Sequence, residues 1–134
     1  MRFMVLLRGV RMFDAPTGLL EGVTRLGAEA TRAGVLLDTA GLAPSVSGAR
    51  VRLAGGELSV EERPFTTGPE LIGYAFYGVK TLAEAVEWAS RFLRLHQEFV
   101  PGWQGEAEIL TVFGPDDFAT PPDAGAEVGA DPRT

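Results

Sequence analysis

Cysteine is absent from the 134 residues, which excludes disulfides, thiolate metal sites and a thiol nucleophile. Lysine occurs once, as Lys80, and histidine once, as His96. A lone imidazole with no cysteine leaves no spacing for a transition-metal site, so no metal is expected. The net charge is −6. Without clustered lysine and arginine there is little to gain from counterion release, and no nucleic-acid partner is expected. Long apolar runs are missing as well. FMVLL between Arg2 and Arg8 is too short for a signal-peptide core or a membrane span, so the chain is expected in the cytoplasm with no membrane partner. Neither GLAPSVSG nor LAGG matches a phosphate-binding loop, and no nucleotide or other cofactor is expected.

What remains is an ordinary globular composition, 46% hydrophobic and 22% charged, at a length that suits one domain with a real core. Arg2 to Arg8 has the Val, Leu and Phe content of a first strand. Asp14 to Gly18 is a turn, with Thr17 the expected N-cap. The helix after it presents Leu19 or Leu20, Val23, Leu26 and Ala30 at helical spacing and is expected to stop at Gly34.

A second strand begins at Gly34–Asp38, and GLAPSVSG bridges to a hairpin. Residues 49–53 and 58–61 alternate on either side of Gly55-Gly56, a dipeptide suited to a two-residue turn. Val51 and Leu53 point one way, Arg50 and Arg52 the other. Ile72 to Val79 is a further strand. Thr81-Leu-Ala-Glu84 is a capping-box pattern, and it opens a helix whose stripe is Leu82, Ala85, Val86, Ala89 and Phe92 or Leu93. Residues 106–113 make the last strand. After Phe118 the composition turns to Pro, Gly, Ala and acid, so residues 120–134 read as a flexible tail and 1–119 as the domain.

This order predicts an α+β fold of the ferredoxin-like, split-βαβ kind: an antiparallel sheet with two helices on one face. In the first strand Phe3, Val5 and Leu7 face one side and Met4 and Leu6 the other, so both faces are apolar. A second copy of the sheet is the expected cover for the face without helices, giving a homodimer.

MRFMVLL, AGVLLDTAGLAPSVSGARVR, RPFTTGPELIG, VKTLAEAVEWA and GEAEILTVFGPDDFA, in this order and spacing, resemble the YCII-related family, in particular its DGPF-domain branch. The resemblance covers nearly all of residues 1–119. It implies a dimeric α+β barrel, with acid/base residues in a cleft between sheet and loop. It also implies a link to sigma factors, beside which such proteins are often encoded. The chain departs from the pattern where chemistry would reside. Glu62-Arg63 replaces Asp-Gly before Pro64-Phe65, Thr67 and Pro69 replace a Glu and a Lys, and Ala40 and Ala43 stand where a Glu and a His are common.

The best catalytic candidates are therefore the surviving acids Glu62 and Asp38, with Arg63, Phe65, Thr67, Glu70 and Tyr74 as ligand-binding candidates around a pocket between sheet and loop 62–70. Tyr74 and Tyr77, three apart in a strand, face opposite sides. His96 is expected at the surface, near a helix C-terminus. Alanine shapes a pocket but moves no proton. The reading that follows is a dimeric small-molecule-binding or regulatory domain with a degenerate active-site loop. Its alternatives are a small acid/base enzyme on Glu62 and Asp38, and an interaction partner of a sigma factor or other transcription component.

Overall fold

The computed structural model describes residues 1–62, 65 and 68–114. Among these residues six strands and two helices follow in the order β1 (Arg2–Gly9), α1 (Thr17–Arg32), β2 (Leu36–Gly41), β3 (Arg50–Ala54), β4 (Glu57–Glu61), β5 (Glu70–Gly78), α2 (Leu82–Phe99) and β6 (Gly105–Thr111). A short 3-10 turn, Ser45–Ser47, separates β2 from β3.

Four strands form an antiparallel sheet in the order β2-β5-β1-β6. β1 and β2 run parallel with β5 between them, and β5 and β6 run parallel with β1 between them. These are two interlocked split βαβ units, the arrangement of a ferredoxin-like fold. Both helices lie on the face formed by Phe3, Val5, Leu7, Ala75, Tyr77, Ala107 and Ile109. Phe3 and Val5 are each 1% exposed at its centre.

Local signals set the ends of the elements. Gly34, at φ +76°, closes α1: its N–H donates to Thr31 O and that of Val35 to Ala30 O, the paired bonds of a Schellman stop. The hairpin turns on Gly55 and Gly56, at φ +62° and +80°, which suits a type I′ turn. At the start of α2 the Thr81 hydroxyl accepts from the Glu84 N–H at 3.2 Å. The Glu84 carboxylate reaches back to the N–H of Lys80, one residue earlier than in a standard capping box.

Three expectations are corrected. Thr17 does not cap α1: Pro16 holds the N-cap position with no side-chain bond, its fixed φ aiming the chain into the helix, and its carbonyl accepts from Leu20. The α2 stripe is rotated. Leu82 and Val86 are exposed, while Ala85, Ala89 and His96 are buried and Trp88 and Phe92 pack beside them, because two alanines let the backbone approach the large side chains of the sheet. His96 is only 5% exposed and not at the surface, held between the rings of Phe92 and Trp103 at centroid distances of 4.7 and 4.3 Å.

The helices are also joined at their outer edge. Arg91 of α2 donates two bonds to the Glu29 carboxylate of α1, at 2.6 and 2.9 Å, and lies over the Trp88 ring. Gly22 is buried in α1 because the Leu95 methyls of α2 come within 2.9 Å of where its Cβ would stand.

Candidate functional site

Between the sheet and the helices lies an apolar cavity of about 110 Å³. Its floor is Val5, Leu7, Ala75 and Tyr77, its roof comes from Leu26, Ala30, Ala89 and Phe92, and Leu36 and Thr39 close the β2 side. The space exists because small residues meet there. Ala30, Ala75 and Ala89 come from three different elements, and Gly27 stands at the roof with nothing within 4 Å of an added Cβ. Glycine inside a helix costs about 1 kcal/mol relative to alanine. At Gly22 close packing accounts for the residue; at Gly27 no contact does.

Two polar groups reach this cavity. The Thr39 hydroxyl is already used, donating to Tyr74 O at 2.8 Å. Tyr77 is buried, stacks on Trp88, and its hydroxyl has no hydrogen-bond partner among the described residues. Burial pushes the Tyr77 phenol above its ordinary value, an effect that Arg91 partly offsets. The cavity therefore offers apolar walls and one neutral phenol, a setting suited to a small aromatic or aliphatic molecule with at most one polar group.

The opposite face of the sheet carries Asp38 and Tyr74. The Tyr74 hydroxyl donates to the Asp38 carboxylate at 2.7 Å, and the Thr39 N–H donates to the other oxygen at 2.9 Å. The irregularity between Leu36 and Asp38 in the β2–β5 register turns the Asp38 side chain to this face. Donating that bond to Asp38 raises the Tyr74 phenol above its ordinary value, with desolvation adding to it. Around the pair lie Met4, Leu6 and Phe76, with Leu110 exposed on β6. Tyr74 and Tyr77 thus take opposite faces, as their spacing requires.

The other described candidates, Glu70, Phe65 and Glu62, do not gather around either place. Glu70 is fully engaged at the start of β5. It accepts from the Ser45 N–H and hydroxyl, at 3.1 and 2.9 Å, and from Arg11 at 3.4 Å. Those bonds, Ser45 first, hold its carboxyl below the usual value. Arg11 also donates to Leu42 O, so one carboxylate and one guanidinium tie three chain segments together. Phe65 lies under the Arg50 guanidinium, which bonds its carbonyl at 3.3 Å and the Glu61 carboxylate at 2.8 Å. Glu62 is exposed at the end of the hairpin, with no hydrogen bond to another described residue. It follows the end of β4, whereas Asp38 lies in β2 of the four-stranded sheet, and no bond or shared partner among the described residues joins them. Arg63, Pro64, Thr67 and the tail at 120–134 lie outside the described residues.

Among the described residues no group of three or more His, Asp or Glu side chains could hold a metal ion. Among the described residues no helix is long and apolar enough to cross a membrane. The cavity escaped sequence reasoning because it is made of missing volume spread over three elements. The local signal was the mid-helix Gly27, which has no turn to serve. No family model and no curated protein matches the chain.

Proposed function

We propose that this chain is a YCII-related, dimeric small-molecule-binding domain, with the ligand held in the cavity under Gly27 and not at loop 62–70. The observation that carries the reading is the cavity itself: about 110 Å³ of apolar space with a buried phenol that has no partner among the described residues, covered by a helical glycine that none of them crowds. Engineered cavities of about 150 Å³ in other proteins stay dry and take up benzene, so the size suits a single ring or a short branched chain. The dimer is supported by the apolar face of Met4, Leu6, Phe76 and Leu110 on the side of the sheet that has no helices.

The acid/base reading finds less support, because Glu62 is exposed and Asp38 spends its carboxylate on Tyr74 and Thr39. The transcription-partner reading rests on the acidic composition and on a tail outside the described residues.

The test is a thermal-shift and NMR titration of the purified protein with toluene and phenol as probes. A probe at about a hundred times its Kd adds roughly 2.7 kcal/mol, which is several degrees of Tm. Gly27→Leu is expected to fill the cavity and abolish the shift while keeping the fold. Absence of a shift with either probe, or an unchanged shift in Gly27→Leu, overturns the reading.

A further inference from the structure

The hairpin β3–β4 stands apart from the four-stranded sheet, and among the described residues its strands pair only with each other. Its register puts Val51 opposite Val60 and Leu53 opposite Leu58, so all four apolar side chains share one face. They are 64%, 59%, 72% and 72% exposed in that order. The other face pairs Arg50 with Glu61 and Arg52 with Ser59. This is an amphipathic ribbon with its apolar side turned to solvent.

A two-stranded ribbon is marginal on its own in water, yet this one is held at both ends. The Gly55-Gly56 turn fixes the tip, and at the base Arg50 bonds Glu61 and Phe65 while Glu70 secures the 3-10 turn that leads into β3. An arm held in place with four adjacent apolar side chains uncovered is built to be covered.

The size of the sheet face indicates by what. Four strands about 4.8 Å apart, seven residues long at about 3.3 Å each, make a flat face of roughly 450 Å². A standard interface buries about 800 Å² per partner. The helix-free sheet face alone falls short of this. In a two-fold dimer each protomer also buries its own ribbon face, roughly 160 Å², and an equal area under its partner's ribbon, which brings the total close to the standard size. We infer that the β3–β4 hairpin is an arm that lays Val51, Leu53, Leu58 and Val60 on a second copy of this chain, completing an interface that the sheet face begins. The inference rests on the dimeric reading above and extends it to a second contact on each protomer.

Sedimentation velocity of the full chain over a concentration series tests it, with circular dichroism as the check on folding. The double variant Leu53→Glu/Leu58→Glu changes solvent-exposed positions and is expected to keep its secondary structure while weakening the dimer about tenfold or more. Arg52→Gln, on the polar side of the ribbon, is expected to leave the dimer Kd unchanged. Leu110→Glu on the sheet face separates the two readings. A dimer broken by Leu110→Glu but untouched by the hairpin variant overturns the arm and leaves the sheet-face dimer standing. A wild-type chain that stays monomeric at tens of micromolar, a range that stable homodimers occupy as dimers, overturns both.

Discussion

The imidazole of His96 lies tilted against the indole of Trp103 with centroids 4.3 Å apart, joining the last turn of α2 to the approach of β6. The indole N–H donates to Val10 O at 2.8 Å, and the ring lies on the glycine pair Gly9–Gly105. A Cβ at position 105 would fall on the Trp103 ring and 2.8 Å from the Arg8 carbonyl. Gly105→Ala is therefore expected to expel the indole and destabilise by about 1–3 kcal/mol, as overpacking does. In a Trp88→Phe background, which leaves Trp103 the only indole, its fluorescence should move to the red as Tm falls. An unchanged emission would mean that the ring does not need the glycine platform.

Ala85 is fully buried where α2 meets the sheet. Ala85→Leu is expected to cost about 1–3 kcal/mol in urea unfolding, whereas Leu82→Ala, on the exposed side of the same turn, is expected to stay within about 0.5 kcal/mol. Equal effects at the two positions would contradict the rotation of α2 described above.

The Glu70 carboxyl titrates below its ordinary 4.5 because Ser45 and Arg11 stabilise its charge. In that interval the unfolded chain binds more protons than the folded one. The contribution is thus complete above the unfolded value and disappears as the pH falls through the folded one. Glu29, lowered chiefly by its bonds from Arg91, acts in the same direction. Glu70→Gln is expected to make the acid limb of the stability curve shallower, measured as Tm between pH 3 and pH 6. A limb of unchanged slope would show that the Ser45 bonds are absent in solution.

Tyr74 behaves in the opposite sense. Its phenol titrates above the ordinary 10.0 because it donates to Asp38, so its contribution is complete below the unfolded value and is lost as the pH rises through the folded one. Asp38→Asn is expected to lower the pKa of one of the two tyrosines, followed by ultraviolet absorbance, and to leave the buried Tyr77 late. Two tyrosines that titrate as in the wild type would break the proposed pairing.

The parts of the fold that sequence reasoning anticipated are those decided within a few residues. Gly34 ends α1, Thr81 and Glu84 open α2, and Gly55-Gly56 turns the hairpin, because each answers a local demand for a positive φ or an orphan N–H. The rotation of α2 was hidden because Leu82 and Val86 suit a core by type, while the fit against Phe3 and Tyr77 favours Ala85 and Ala89. The place of His96 near a helix end suggests the surface, and its burial depends on Trp103 arriving from the following loop. Asp38 and Tyr74 were both singled out, but their bond depends on a register irregularity that leaves no mark in the sequence. Glu70 suits a ligand contact by type and place, but in the protomer its oxygens serve Ser45 and Arg11.

The place of β1 in the sheet sets when this protein can fold. β1 is made first, yet its two neighbours are β5 and β6, which end at Gly78 and Thr111. During synthesis α1, β2 and the hairpin have all left the ribosome before β1 meets any strand, and the sheet gains its last edge only when β6 is out. Pairings this distant along the chain slow folding, because the entropy of closing long loops is lost before the contacts form. Until β5 is out the segment FMVLL waits as an unpaired apolar strand, exposed to wrong pairings that the finished sheet forbids.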